Sequence, residues 1–167
     1  MRQQTERGFT LVEIMIVVAI IALLAAIAIP NVLRGRTSAN EAAAIGNIRS
    51  LVSSLEMYRS VNNSYPDAWQ ADMYTTPDPD FGPPSFNIAM AGQTVQGYNY
   101  TFTPVGAEPN VTTYTLVASP QVINTTGSRG FFVDQNGTVR HCRCPAGAAC
   151  NAADATDTPI DTAPNAC

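Results

Sequence analysis

The stretch Gly8-Phe9-Thr10-Leu11-Val12-Glu13-Ile14-Met15 opens an apolar run that lasts to Ile29. From Ile14 to Ile29 no side chain is charged or polar. Phe9 to Ile29 is twenty-one residues with one acid, roughly 31 Å as a helix, which matches a bilayer core of about 30 Å. The acid is the anomaly. A carboxylate inside an apolar helix costs several kcal/mol unless it is neutralised or paired. Glu13 is therefore expected to meet a partner that a single chain does not supply.

Working outward, a secretory signal peptide is the competing reading. Arg2 and Arg7 supply its basic end, and Ala26-Ile27-Ala28 resembles a cleavage site. Against it, Glu13 falls within the hydrophobic region and the helical pattern continues beyond. After Pro30, apolar residues recur at Ile45, Ile48, Leu51, Val52, Leu55 and Tyr58. Steps of three and four trace one helical face. Asn62-Asn63-Ser64 and Pro66 end the pattern near Val61. A continuous helix of about 53 residues spans about 80 Å. Its first half is apolar all round and its second half carries one stripe. Pro30 removes a backbone donor within it and is expected to kink it, at about 3 kcal/mol in a regular interior. Ala22 and Ala26 are small residues four apart, which lets neighbouring helices approach.

Beyond the helix the chain is polar and weakly charged, and the full 167 residues carry a formal net charge of −4. Its nine basic residues are all Arg, and none cluster beyond the pair Arg34 and Arg36, so no direct, specific nucleic-acid footprint is visible. Residues 66–93 read as a Pro-, Asp- and Gly-rich connection with helical turns near Ala68-Trp69-Gln70. Period-two strands follow at 97–103 and 111–118. Residues 130–133 and 138–141 flank Asp134-Gln135-Asn136-Gly137, a hairpin signal. The expected architecture is α+β: a long N-terminal α-helix, half transmembrane and half amphipathic, on a small antiparallel β-sheet head.

Cys142, Cys144, Cys150 and Cys167 all lie within the last 26 residues. An even count behind a membrane segment favours disulfides in an oxidising compartment. Cys142–Cys144 closes too tight a ring. Either Cys142 or Cys144 is expected to pair with Cys150, and the other with Cys167. A zinc site is the runner-up; Cys-x-Cys spacing and the adjacency of His141 to Cys142 suit it poorly. Loop charges leave orientation open, but the cysteines place the short N-terminus in the cytoplasm. Residues 145–167, rich in Ala, Asp, Thr and Pro, are expected to form an exposed, tethered loop.

Residues Gly8 to Met15, with the apolar run to Pro30, resemble the leader junction and N-terminal helix of type IV pilins and of the pseudopilins of type II secretion. Asn62-Asn63-Ser64-Tyr65-Pro66 is similar to the pseudopilin helix exit. The resemblance covers residues 1–66. It implies cleavage between Gly8 and Phe9 by a membrane prepilin peptidase, then N-methylation of Phe9. It implies that Glu13 neutralises the Phe9 ammonium of an adjacent subunit, and that helical order is lost just before Pro30 in the filament. The implied organisation is a leader over 1–8, a transmembrane and polymerisation half over 9–29, an amphipathic half over 30–62, a head over 63–141 and a disulfide-bounded loop over 142–167.

The expected function is structural: a subunit of a type IV pilus, a helical homopolymer supporting adhesion, motility or DNA uptake. The alternative is a pseudopilin of a type II secretion system. The cysteines tilt toward a pilin, because the main pseudopilin pattern relies on a calcium loop; Tyr65-Pro66 tilts the other way. Implied partners are sister subunits, the prepilin peptidase, an inner-membrane assembly platform and, before assembly, lipid. Implied locations are the bacterial inner membrane first and the extracellular pilus afterwards. No catalytic constellation, cofactor motif or metal loop is evident, so no enzyme activity is expected. Asp154, Asp157 and Asp161 resemble calcium ligands only loosely. Five Asn-x-Ser/Thr triplets begin at Asn62, Asn99, Asn110, Asn124 and Asn136; a Thr- and Asn-rich chain makes such triplets by chance.

Overall fold

The computed structural model describes residues 8–87, 90, 94–106, 110–145, 150 and 153–167. Arg2, Glu6 and Arg7, in the expected leader, lie outside them. The chain divides into two units, Met1–Gly35 and Arg36–Cys167. One helix, α1, runs Leu11–Asn62 and contains Pro30. Its end is a left-handed residue, Asn63, with φ 56°. The Asn63 N–H donates to the Arg59 carbonyl at 2.8 Å, and Asn62 Nδ2 donates to the Tyr58 carbonyl at 3.2 Å. Asn tolerates this conformation better than other non-glycine residues, so the chain leaves the helix here.

The second unit is an α+β fold. Among the described residues, seven strands form one sheet: β1 (Thr94–Val95), β2 (Tyr98–Val105), β3 (Thr113–Pro120), β4 (Arg129–Asp134), β5 (Arg140–Arg143), β6 (Thr158–Pro159) and β7 (Asn165–Ala166). The order is β1-β2-β3-β4-β5-β6, antiparallel throughout, with β7 parallel to β5. Strand β3 alternates strictly, burying Tyr114, Leu116, Ala118 and Pro120. Register sets Leu116 opposite Val133 and Ala118 opposite Phe131, so one face of the sheet is apolar. That face packs on Ala44, Ile48, Leu51, Leu55 and Tyr58 of α1. The predicted stripe is this core seam, with Ile45 and Val52 half-buried at its margins. Between helix and sheet, Trp69 donates Nε1–H to the Phe86 carbonyl at 3.1 Å and packs against Phe102.

Most described residues of the C-terminal segment are exposed, as expected of a tethered loop, but part of the segment is built into the sheet. Ala153 and Asp157 are buried, and β6 and β7 share the outer edge of β5. Disulfides join Cys142 to Cys167 and Cys144 to Cys150. The physical reason is that β5 is an edge. Its backbone donors and acceptors pair with any chain tethered beside it, whatever the side chains. Asp157 reinforces the tether by accepting the Asp154 N–H at 2.6 Å, while its carbonyl accepts Arg140 Nη1 at 2.8 Å.

A polar latch closes the lower end of the seam. Glu41 is the next residue of the same stripe, one turn before Ala44. It accepts the N–H and hydroxyl of Ser128, each at 2.8 Å. It also pairs with Arg129, whose Nε lies at 2.9 Å and Nη2 at 2.8 Å. Burial pushes the Glu41 carboxyl up, but the Ser128 donors and the Arg129 guanidinium outweigh it and hold the group below its ordinary value.

Two outcomes are expected of the full chain in detergent. Glu41→Ala lowers the unfolding free energy by about 2–3 kcal/mol at neutral pH, because it leaves Arg129 half-buried and unpaired. A lowered folded-state pKa gives stability that is complete above the ordinary value of 4.5 and is lost as pH falls through the folded-state value. Urea midpoints of wild type and Glu41→Ala therefore converge on acidification. Replacing Cys142 and Cys167 by Ser removes a span of 25 residues and costs about 3–4 kcal/mol; replacing Cys144 and Cys150, a span of 6, costs about 2.

Candidate functional site

The first unit carries the sites read from the leader junction. Thr10 is the N-cap of α1, directly before Leu11. Its backbone N–H and its hydroxyl each donate to Glu13 Oε2 at 2.8 Å. The Glu13 N–H donates back to Thr10 Oγ1 at 3.2 Å. This is a capping box, Thr-x-x-Glu, in which the two residues satisfy donors that the first helical turn leaves open. The carboxylate also sits at the positive end of the helix dipole.

The cap gives Glu13 a local role within the chain beside the partner expected from outside it. Within one chain, Thr10 supplies two donors, both to the same oxygen. The signal was present in the sequence: Ser/Thr-x-x-Glu before an apolar run marks a helix start. The acid drew attention as a membrane anomaly, and its local role was overlooked. Thr10 is thus a site residue that sequence reasoning missed.

Phe9, directly after Gly8, is 86% exposed. A Cβ built on Gly8 meets nothing within 4 Å. Among the described residues, then, neither packing nor backbone geometry demands glycine at position 8.

From Phe9 to Leu33 every large apolar side chain is exposed by half or more. The helix is long and apolar enough to cross a membrane. Each such side chain gains about 1.5–3 kcal/mol on full burial, so this surface is far from equilibrium in water. Its chemistry is association, through dispersion and close packing, with lipid or with other helices.

The residues considered as ligands or bases lie in the second unit and are otherwise engaged. His141 is buried; its Nδ1 lies 3.1 Å from Arg129 Nη1 and its Nε2 lies 3.0 Å from the Thr162 carbonyl. Cys144, Cys150 and Cys167 lie close together, but each is in a disulfide. Asp154 Oδ1 accepts the Thr156 N–H at 2.7 Å and hydroxyl at 2.6 Å, which closes a local turn.

Residues 4–29 match the model for the prokaryotic N-terminal methylation motif. The Type II secretion system core protein G of Vibrio cholerae is 32% identical over 126 residues, 72% of this chain and 85% of that protein. Core protein G of Klebsiella michiganensis is 40% identical over 70 residues, 42% of this chain and 49% of the relative. The Type IV wide pilus major component PilA4 of Thermus thermophilus is 49% identical over 59 residues, 35% of this chain and 45% of the relative. The chain spans under half the length of these last two relatives. No solved structure matches. The methylation motif, the exposed apolar helix start and a likeness that extends into the sheet unit place the chain in one family: it belongs to the type IV pilins and type II secretion pseudopilins.

Proposed function

We propose that this chain is the subunit of a type IV pilus, cleaved between Gly8 and Phe9 by a prepilin peptidase, N-methylated at Phe9 and polymerised through α1. The observation that carries the reading is the apolar surface from Phe9 to Leu33, which a single chain leaves uncovered. Before assembly the subunit rests in the inner membrane, its N-terminus cytoplasmic, with lipid over that surface. An assembly platform in the same membrane then hands it to sister helices in the extracellular fibre. Adhesion, motility or DNA uptake belongs to the fibre. A second reading, a pseudopilin of a type II secretion system, is favoured by the likeness to the Vibrio cholerae protein, which reaches well beyond the helix.

In this mechanism Glu13 changes partners. In the stored subunit Thr10 donates to it. In the filament it faces the free Phe9 amine of a neighbour, an ion pair in a dry environment. Leaving either charge buried alone is costly, so the pair sets axial register.

The charge and the cap are separable by substitution. Gln serves in a capping box as Glu does. Glu13→Gln therefore keeps the helix start but loses the ion pair. Both Glu13→Gln and Glu13→Ala are expected to insert in membrane and to give sheared-filament yields lower by about tenfold or more, which is about 1.4 kcal/mol per step. Normal filaments from Glu13→Gln would reduce the acid to a cap and sink the register role. Intact mass tests maturation itself: the expected first residue is methylated Phe9, and a chain beginning at Ile29 excludes this reading. Long fibres in negative stain support the pilus; a secretion defect on deletion without fibres supports the pseudopilin.

A further inference from the structure

The β4–β5 turn reads Asp134-Gln135-Asn136-Gly137-Thr138, and it is one of five Asn-x-Ser/Thr triplets. Such a triplet accepts a glycan only where the side-chain amide, the hydroxyl and the backbone between them are all reachable from solvent. The fold separates the five on this criterion.

Four are blocked by their own structure. At Asn62, the triplet's hydroxyl is out of reach: Ser64 is buried and its hydroxyl donates to the Tyr65 carbonyl at 2.9 Å. Asn99 sits inside β2, paired on one side to Thr94 and on the other to Ser119. At Asn110, the Asn110 and Thr112 side chains are exposed, but the central residue Val111 is buried in the core and its carbonyl accepts the Tyr65 N–H at 2.9 Å, which fixes the backbone of the triplet against the head. At Asn124, the backbone is left-handed at φ 62°, and Thr126 Oγ1 is tied to Val122 N at 3.0 Å and Val122 O at 3.1 Å.

At Asn136 the triplet is open along its whole length. Gln135, Asn136, Gly137 and Thr138 are all exposed. They form a turn closed by the Gly137 N–H on the Asp134 carbonyl at 2.9 Å, with Gly137 at φ 72°, a conformation that suits glycine. Among the described residues the Thr138 hydroxyl has no hydrogen-bond partner. The Asn136 side chain is held outward by Asp134: Nδ2 donates to Oδ2 at 2.9 Å and the backbone N–H to Oδ1 at 2.9 Å. The nucleophilic atom of the triplet is thus pre-oriented, and a carboxylate polarises its N–H. The turn also lies at the end of β4 away from Arg129, so a bulky group there leaves the Glu41 latch intact.

We propose that Asn136 is the acceptor of an N-linked glycan, transferred from a polyprenyl-pyrophosphate-linked oligosaccharide by a membrane oligosaccharyltransferase. In the transfer, Asn136 Nδ2 forms a bond to the anomeric carbon. The bond from that carbon to the pyrophosphate oxygen breaks, the lipid pyrophosphate leaves with the electron pair, and Nδ2 gives up one proton. The inference rests on the reading that the sheet unit lies outside the cytoplasm.

The test uses the purified full chain in detergent, a bacterial oligosaccharyltransferase and a polyprenyl-pyrophosphate oligosaccharide, read by glycopeptide mass. The expected result is a glycan mass on the peptide carrying Asn136 and none on the other four triplets. The shift is lost in Asn136→Gln and in Thr138→Ala, is retained in Thr138→Ser, and falls in Asp134→Asn with no change in urea midpoint. A bare Asn136, or equal occupancy at another triplet, overturns the proposal. Chain recovered from the cells that make it separates the two readings. A chain mature at Phe9 with bare Asn136 overturns the glycan site alone; a chain uncleaved and cytoplasmic overturns the filament reading.

Discussion

An apolar helical surface with nothing to cover it governs this molecule. Residues Phe9 to Leu33 bury none of their large side chains within the chain. No rearrangement of one short apolar helix can hide all its faces, because a helix presents side chains around its whole circumference. The stable states are therefore collective. In a bilayer, lipid covers the surface and the helix gains little from meeting another one beyond packing and polar pairing. Once withdrawn from lipid, the same surface is driven together by water. The direction of the transition depends on which solvent surrounds the helix, and the energy scale is set by many side chains at about 1.5–3 kcal/mol each.

Within that scheme a carboxylate at the third helical position has two compatible uses. The capping box lets the stored subunit carry Glu13 with its donors supplied locally by Thr10. In the proposed filament the same position places the acid one turn from the N-terminus that cleavage before Phe9 would free, where a neighbour's amine would arrive. A charge tolerated in one state and required in the next is a means of setting register, because a misaligned neighbour leaves it buried and unpaired.

The long apolar run, the stripe from Ile48 to Tyr58 and the period-two strands were legible because each is a repeated pattern, and repetition survives noise. The strands lie where alternation put them, to within a residue or two. What escaped were contacts carried by single residues. Glu41 continues the stripe one turn below Ala44, but an apolar pattern cannot register an acid. Its partner Arg129 is 88 residues away, a separation that no local rule spans. The tether of the C-terminal segment through Cys167 was legible in the cysteines, but its pairing to β5 at Thr158–Pro159 and Asn165–Ala166 was not, because composition describes what side chains can bury and is blind to backbone pairing.

The latch then joins three distant parts of the chain, and its chemistry fixes the proton on His141. Arginine has donors only, so Nδ1, facing Arg129 Nη1, must accept. The ring hydrogen therefore sits on Nε2, where it donates to the Thr162 carbonyl. Glu41 orients Arg129, Arg129 orients His141, and His141 holds the segment that ends at Cys167. Each link in this partly buried series supports the next. The helix end of the seam is thereby coupled to the outermost edge of the sheet, by a run of hydrogen bonds in which every polar atom named has a fixed direction.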